Sequence, residues 1–238
     1  MSFLKDLSKK SVYSIYKQYQ HNNLKKKGLA IAKNYLDTHT ERKLHIGAGG
    51  SYLDGWLNVD LEPLEARIAY MDAATDYPLP DNSIDYVFSE HLFEHLNIDQ
   101  QVKMLSEVVR VLKPGGAVRI ATPNLDAILD IRGKTDGLTT DYLDWGANTY
   151  FPAQVKRFGA GAKDEIFIIN NYFYSWGHQF IHNPRTLKLL LTNAGFKKIM
   201  QVKIFESEIS TFKNMETHGN VIPPRFNEME TMIFEARK

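Results

Sequence analysis

Residues 43–61, KLHIGAGGSYLDGWLNVDL, set a short apolar strand, a glycine turn and a second strand in immediate succession. KLHI is too short for a helix and is cut off at once by Gly47, Gly49 and Gly50. Glycines at that point let the backbone turn sharply and let a ligand approach main-chain N–H groups. The second strand closes on Asp60, eleven residues after Gly49. In doubly wound folds an acid at that strand end lies beside the glycine turn, where its carboxylate accepts hydrogen bonds from ribose hydroxyls. Taken singly, the glycines also read as a structural tight turn and Asp60 as a cap or solvated strand end. The spacing departs from G-x-G-x-x-G, because Tyr52 holds the third glycine position. That argues against a nicotinamide or flavin dinucleotide.

Working outward, the text keeps alternating. IAYMDAA (68–74) and IDYVFS (84–89) read as a third and fourth strand, separated by a turn-rich loop over 77–83. A helix follows through IDQQVKMLSEVVRVL (98–112), with Lys113-Pro114-Gly115-Gly116 expected to end it through a left-handed glycine cap. AVRIATP (117–123) is a fifth strand, and NPRTLKLLLTNAGF (183–196) is a late helix. KKIMQVKIFE (197–206) and TMIFEARK (231–238) are the last strands. Strand–helix alternation with short connections implies right-handed crossovers and a mostly parallel sheet with helices on both faces.

Two stretches break the rhythm. Residues 1–40 are lysine-rich and poor in acids, and read as an N-terminal arm of two basic helices broken near His21-Asn22-Asn23. That arm is either a helical cover with its lysines in water, or a contact for a partner or membrane surface. Residues from about 124 to 182, inside a main domain spanning 41–238, are rich in aromatics such as Trp145, Tyr150, Tyr172 and Trp176. An insertion this long is expected to form a cap. It supplies either an acceptor pocket or simply the core of an added subdomain.

The charge balance, 29 basic against 28 acidic residues, gives no global field for nucleic acid. With no cysteine, disulfides and thiolate metal sites are excluded. No secretory signal and no apolar run near the roughly 20 residues of a membrane span is legible, so a cytoplasmic protein is expected. Asp72-Ala73, after the third strand, adds an acid positioned to accept from an adenine amine, or a plain loop aspartate.

LHIGAGG, the strand ending NVD, Asp72-Ala73, LPDNSIDYVFSEHLFEHL and VLKPGGAVRIATPN, in that order, resemble class I S-adenosylmethionine-dependent methyltransferases. More narrowly, the chain is similar to bacterial members whose genes accompany polysaccharide or glycan assembly. The resemblance implies a Rossmann-like, doubly wound seven-stranded sheet with its last strand antiparallel, and S-adenosyl-L-methionine as cofactor. It also implies that Gly47, Ala48 and Gly49 face the methionine part, and that Asp60, with Leu61 beside it, holds the ribose. Asp72 and Ala73 would take the adenine, and Ser89 would floor the pocket near the reactive methyl. His45 stands where many members carry an acid.

Methyl transfer needs alignment of donor and acceptor and exclusion of water, and an oxygen or amine acceptor also needs a base. Candidates are Glu90, His91, Glu94, His95 and His178, of which His178 and His91 are singled out as catalytic. His91 and His95 have the spacing of a helical metal pair, but no third ligand is evident and no metal is expected. The expected activity is methyl transfer to an oxygen of a small-molecule or carbohydrate acceptor. N-methylation and a non-catalytic scaffold are the alternatives.

Overall fold

The computed structural model describes residues 2–238, with side chains described from residue 17 onward. Seven strands form one sheet: β1 (Lys43–Ile46), β2 (Leu57–Asp60), β3 (Ala69–Tyr70), β4 (Ile84–Glu90), β5 (Leu112–Pro123), β6 (Lys197–Val202) and β7 (Thr231–Arg237). Their order is β3-β2-β1-β4-β5-β7-β6. β1 to β5 are parallel, while β7 runs antiparallel to both β5 and β6. Strand order turns back between β1 and β4, so a crevice opens at their carboxyl ends, where open α/β sheets take ligands.

One sheet face, carried by Leu44, Ile46, Leu57, Val59, Val87 and Val118, buries against three helices. α1 (Ser2–Thr38) contributes Ala32 and Tyr35, and α2 (Ile98–Val111) contributes Met104, Leu105, Val108 and Val111. α7 (Pro184–Asn193) adds Leu187 and Leu191. α2 starts where its sequence says it should: Asn97 and Gln100 form a reciprocal capping box. The other face is covered more thinly, by Trp56 and by Phe212 of a 3-10 turn, packed on Phe88 and Ala117. There a buried Arg119 binds Glu216 at 2.6 Å and Glu235, tying the 203–216 segment onto β5 and β7.

The insertion is helical: α3 (Leu125–Asp130), α4 (Gly137–Tyr150), α5 (Pro152–Phe158) and α6 (Glu165–Tyr174). Ile128, Tyr142, Ile168 and Tyr172 give it a core of its own, joined by Phe226 of α8 (Pro224–Glu230).

Three local expectations are corrected. α1 runs unbroken through His21-Asn22-Asn23, because no glycine or proline stands there and polar residues cost a helix only tenths of a kcal/mol, about 0.7 at most. α2 stops at Val111 into an extended Leu112 rather than a left-handed glycine cap. Pro114 disfavours helix for Lys113, and the chain enters β5 directly. Glu90 to His95 is not a helix start: Glu90 ends β4 and Phe93–His95 is a separate 3-10 turn, so His91 and His95 share no helix face.

Candidate active site

The glycine turn lies at the crevice. Gly47 and Gly49 have φ of +78° and +51°, which L-residues with a Cβ seldom adopt. The N–H groups of Gly47 and Ala48 both bond to the Val59 carbonyl, pinning the turn to β2. Asp60 accepts from the Gly49 N–H at 2.8 Å with one carboxylate oxygen and from the Glu62 N–H at 2.7 Å with the other. Gly49 has no atom within 4 Å of where a Cβ would stand, so that side of the turn is open. Gly47, by contrast, is filled by Leu92, whose side chain would lie 2.9 Å from such a Cβ.

Around this turn the remaining sequence-named residues fall into place unevenly. Ser89 is fully buried in β4, and its Oγ has no hydrogen-bond partner. Asp72 accepts from the Ala74 N–H at 2.9 Å, and Ala73 is buried beside it. Asp72 also borders a cavity of about 210 Å³ shared with Lys25 and Leu29 of α1, residues the sequence gave no reason to place there. Leu61 is exposed. His45 is buried, with its ring 5.3 Å from Phe88 and Nδ1 3.0 Å from Asn58 Oδ1. Asn58 in turn holds the backbone of Leu53 and Trp56, so His45 serves the packing of that turn. Burial holds its imidazole neutral, down to about 4, against the opposing bond to Asn58.

A larger cavity, of about 540 Å³, brings His91 and His178 together. Trp145, Tyr150, Tyr172 and Trp176 of the insertion line it, so the aromatic segment is both a subdomain core and a pocket wall. His91 has a φ of +47°, a strained position directly after β4. Its Nδ1 lies 3.1 Å from Glu94 Oε1, while Glu94 Oε2 accepts from Thr122 at 3.0 Å. Burial opposes charge on His91, but Glu94, with Glu90 and Glu230 nearby, outweighs it and raises its pKa. Burial likewise opposes charge on Glu94, and the His91 contact overcomes it and lowers that pKa. His178 is lowered, chiefly by burial. Its Nδ1 lies 2.8 Å from the Tyr172 carbonyl, an acceptor only, so Nδ1 carries the proton and Nε2 keeps its lone pair.

Two cavity residues, and one beside them, were not singled out by sequence reasoning. His218 stacks on His91 with centroids 3.8 Å apart, and burial lowers it to about 4. Glu230 accepts from Tyr142 at 2.7 Å, and burial raises its pKa. Thr231 Oγ1 lies 3.3 Å from His91 Nε2. Glu90, a base candidate by sequence, is an anchor instead: it accepts from the N–H groups of Thr217 and His218 at 2.9 to 3.0 Å. Ser51 Oγ meets Thr217 Oγ1 at 3.1 Å, which joins the glycine turn to the same loop.

Residues 45–120 match the methyltransferase domain family. Over 49 residues the chain is 45% identical to a protein of Mycolicibacterium smegmatis described as a probable S-adenosylmethionine-dependent methyltransferase. That match covers 21% of this chain and 18% of the relative, so less than a fifth of the relative's length is spanned. Among solved structures, a SAM-dependent methyltransferase from Archaeoglobus fulgidus superposes with a TM-score of 0.51 at 20% identity. It covers 88% of this chain and 92% of that one, a likeness of fold. No helix among the described residues is long and apolar enough to cross a membrane. Residues 45–120 are thus similar to a methyltransferase domain, and the seven-stranded sheet that carries them is similar in fold to a SAM-dependent methyltransferase.

Proposed function

We propose that the chain transfers a methyl group from S-adenosylmethionine to an oxygen of a small-molecule or carbohydrate acceptor. The observation that carries this reading is a juxtaposition: the open Gly49–Asp60 turn is joined, through the Ser51–Thr217 contact and through Leu92 packed on Gly47, to the segments that line an aromatic-walled cavity holding His91 and His178 among its four histidines. Leu92 fills Gly47 on one side and follows His91 of the cavity on the other.

The residues present suit the cofactor. Gly47, Ala48 and Gly49 offer main chain to its methionine part, and the orphaned Ser89 Oγ lies buried at the strand end beneath. Asp60, flanked by Leu61, has an unused lone pair on each oxygen for the ribose hydroxyls, and Asp72 with Ala73 takes the adenine. When bound, the cofactor supplies an electrophilic methyl on a sulfonium sulfur. Everything else falls to the chain: Trp145, Tyr150 and Trp176 give flat apolar faces to a sugar or aromatic acceptor and exclude water. The acceptor hydroxyl lies between His91 and His178, the two groups that handle its proton as the new O–C bond forms and the C–S bond breaks. A glycan-assembly setting and a cytoplasmic location belong to this proposal. So does a partner or membrane-surface role for the lysines at 25–27, which stay exposed on α1.

The test is a methyl-transfer assay with labelled cofactor against sugars, sugar nucleotides, phenols and amines. Product confined to hydroxyl acceptors is expected. Turnover of amines alone would replace the oxygen acceptor with nitrogen, and no turnover of any acceptor would leave a cofactor-binding scaffold.

A further inference from the structure

In the lining of the aromatic cavity, Glu94, His95 and His178 each offer one ligand atom, and these atoms all lie within 4.8 Å of one another. We propose that these three residues bind a divalent transition-metal ion whose remaining positions face the cavity.

Donor chemistry selects the class of ion. Two imidazoles and one carboxylate suit Zn²⁺, Mn²⁺, Fe²⁺ or Co²⁺, whereas Mg²⁺ and Ca²⁺ prefer oxygen alone. Three protein ligands with an open side are the pattern of a site that admits a further ligand, and here the open side is a cavity of about 540 Å³.

The supporting shell is already built. His178 Nδ1 donates to the Tyr172 carbonyl at 2.8 Å, which leaves Nε2 as the bare ligand atom. Metal-binding histidines are commonly oriented in this way. Glu94 is buried and held through both oxygens, by His91 and by Thr122, each oxygen keeping a lone pair for an ion. Among the described residues, neither ring nitrogen of His95 has a hydrogen-bond partner. The two chain segments are clamped together: the N–H groups of Gln179 and Phe180 bond to the Glu94 carbonyl at 2.8 and 3.2 Å. Gln179 Nε2 bonds to the His95 carbonyl at 2.8 Å. Closing three side chains onto an ion with bonds of roughly 2 Å is then a matter of side-chain torsions.

The role of the ion rests on the reading above and narrows it. When bound, the ion would acidify an acceptor hydroxyl in the open position, which would pass its proton to His91, while His178 would act as a ligand. The alkoxide oxygen then forms the new bond to the methyl carbon while the C–S bond breaks.

Metal binding is tested without cofactor or acceptor. Chelator-stripped full-length protein is titrated with Co²⁺, followed by visible absorption, and with Zn²⁺ by calorimetry. One ion per chain is expected, with the absorption of a four- or five-coordinate nitrogen–oxygen site. His95→Gln and His178→Gln are expected to weaken binding at least tenfold, roughly the low end of what losing even a supporting residue costs. His95 is half-buried, so His95→Gln keeps the test usable if the His178 variant fails to fold; circular dichroism checks both. No binding by the wild type, or unchanged affinity in a folded His95→Gln, would overturn the site. Binding by a protein that methylates no acceptor keeps the site and discards the methyl-transfer reading. Transfer that persists in chelator, with no Co²⁺ bound, does the reverse.

Discussion

Asp60 spends one carboxylate oxygen on the Gly49 N–H and the other on Glu62, so it fixes the glycine turn and the exit of β2 together. Asp60→Ala should weaken S-adenosylmethionine binding roughly 10–100-fold, the worth of a charge-assisted hydrogen bond or two at about 1.5–3 kcal/mol. Calorimetry on protein with an unchanged circular dichroism spectrum checks this, and undiminished affinity would remove Asp60 from the ribose. His45 makes a different prediction. Its folded pKa of about 4 lies below the ordinary value of 6.5, so the unfolded chain binds more protons between those limits. Stability is therefore full above about pH 6.5 and falls as pH drops toward 4, by on the order of 3 kcal/mol for this residue. His182 and His218, also held near 4 mainly by burial, add to the same slope. Urea unfolding at pH 7 and pH 4.5 should show a smaller pH difference for His45→Gln than for wild type, and an identical difference would refute the assignment. Gly49, Asp60 and Asp72 were legible in the text because each is set by a neighbouring strand end. The partner of His45, Asn58, was not, because only pairing of β1 with β2 brings them together.

At the scale of elements, α1 meets the sheet where it has no side chain to offer. A Cβ on Gly28 would lie 2.6 Å from the Tyr70 carbonyl oxygen and 2.9 Å from its nitrogen, both backbone atoms that cannot swing away. Helix propensity alone would make Gly28→Ala stabilising by about 1 kcal/mol. Overpacking against backbone costs about 1–3 kcal/mol, and the clash should win. We expect a net loss of about 1 kcal/mol in urea unfolding, together with weaker cofactor binding as Leu29 and Lys25 lift away from Asp72. A gain in stability would show that α1 does not seat on β3 this closely. The strands and α2 were readable because their apolar periodicity matches their burial. The unbroken α1 was not, since three polar residues look like a break when nothing shows what the helix rests on. The segment after β4 misled for a related reason: Glu90-His91 and Glu94-His95 sit at helical spacing, yet the left-handed backbone of His91 starts a turn.

Over the whole molecule, the candidate site gathers pieces that the sequence keeps far apart. Glu90 anchors Thr217 across 127 positions, which seats His218 on His91. Tyr142 of the insertion holds Glu230 across 88. Periodicity reports which residues face a core but not which distant loops share a cavity, so the glycine turn and its strand ends were legible and the aromatic cavity only partly so. The central claim is that the glycine turn and its strand-end acids hold S-adenosylmethionine. The most direct measurement is calorimetric titration of the folded wild-type chain with S-adenosylmethionine and S-adenosylhomocysteine, with NAD as control. Micromolar binding of the first two and none of NAD is the predicted result. No binding of either by folded protein, or binding of NAD in their place, would contradict it.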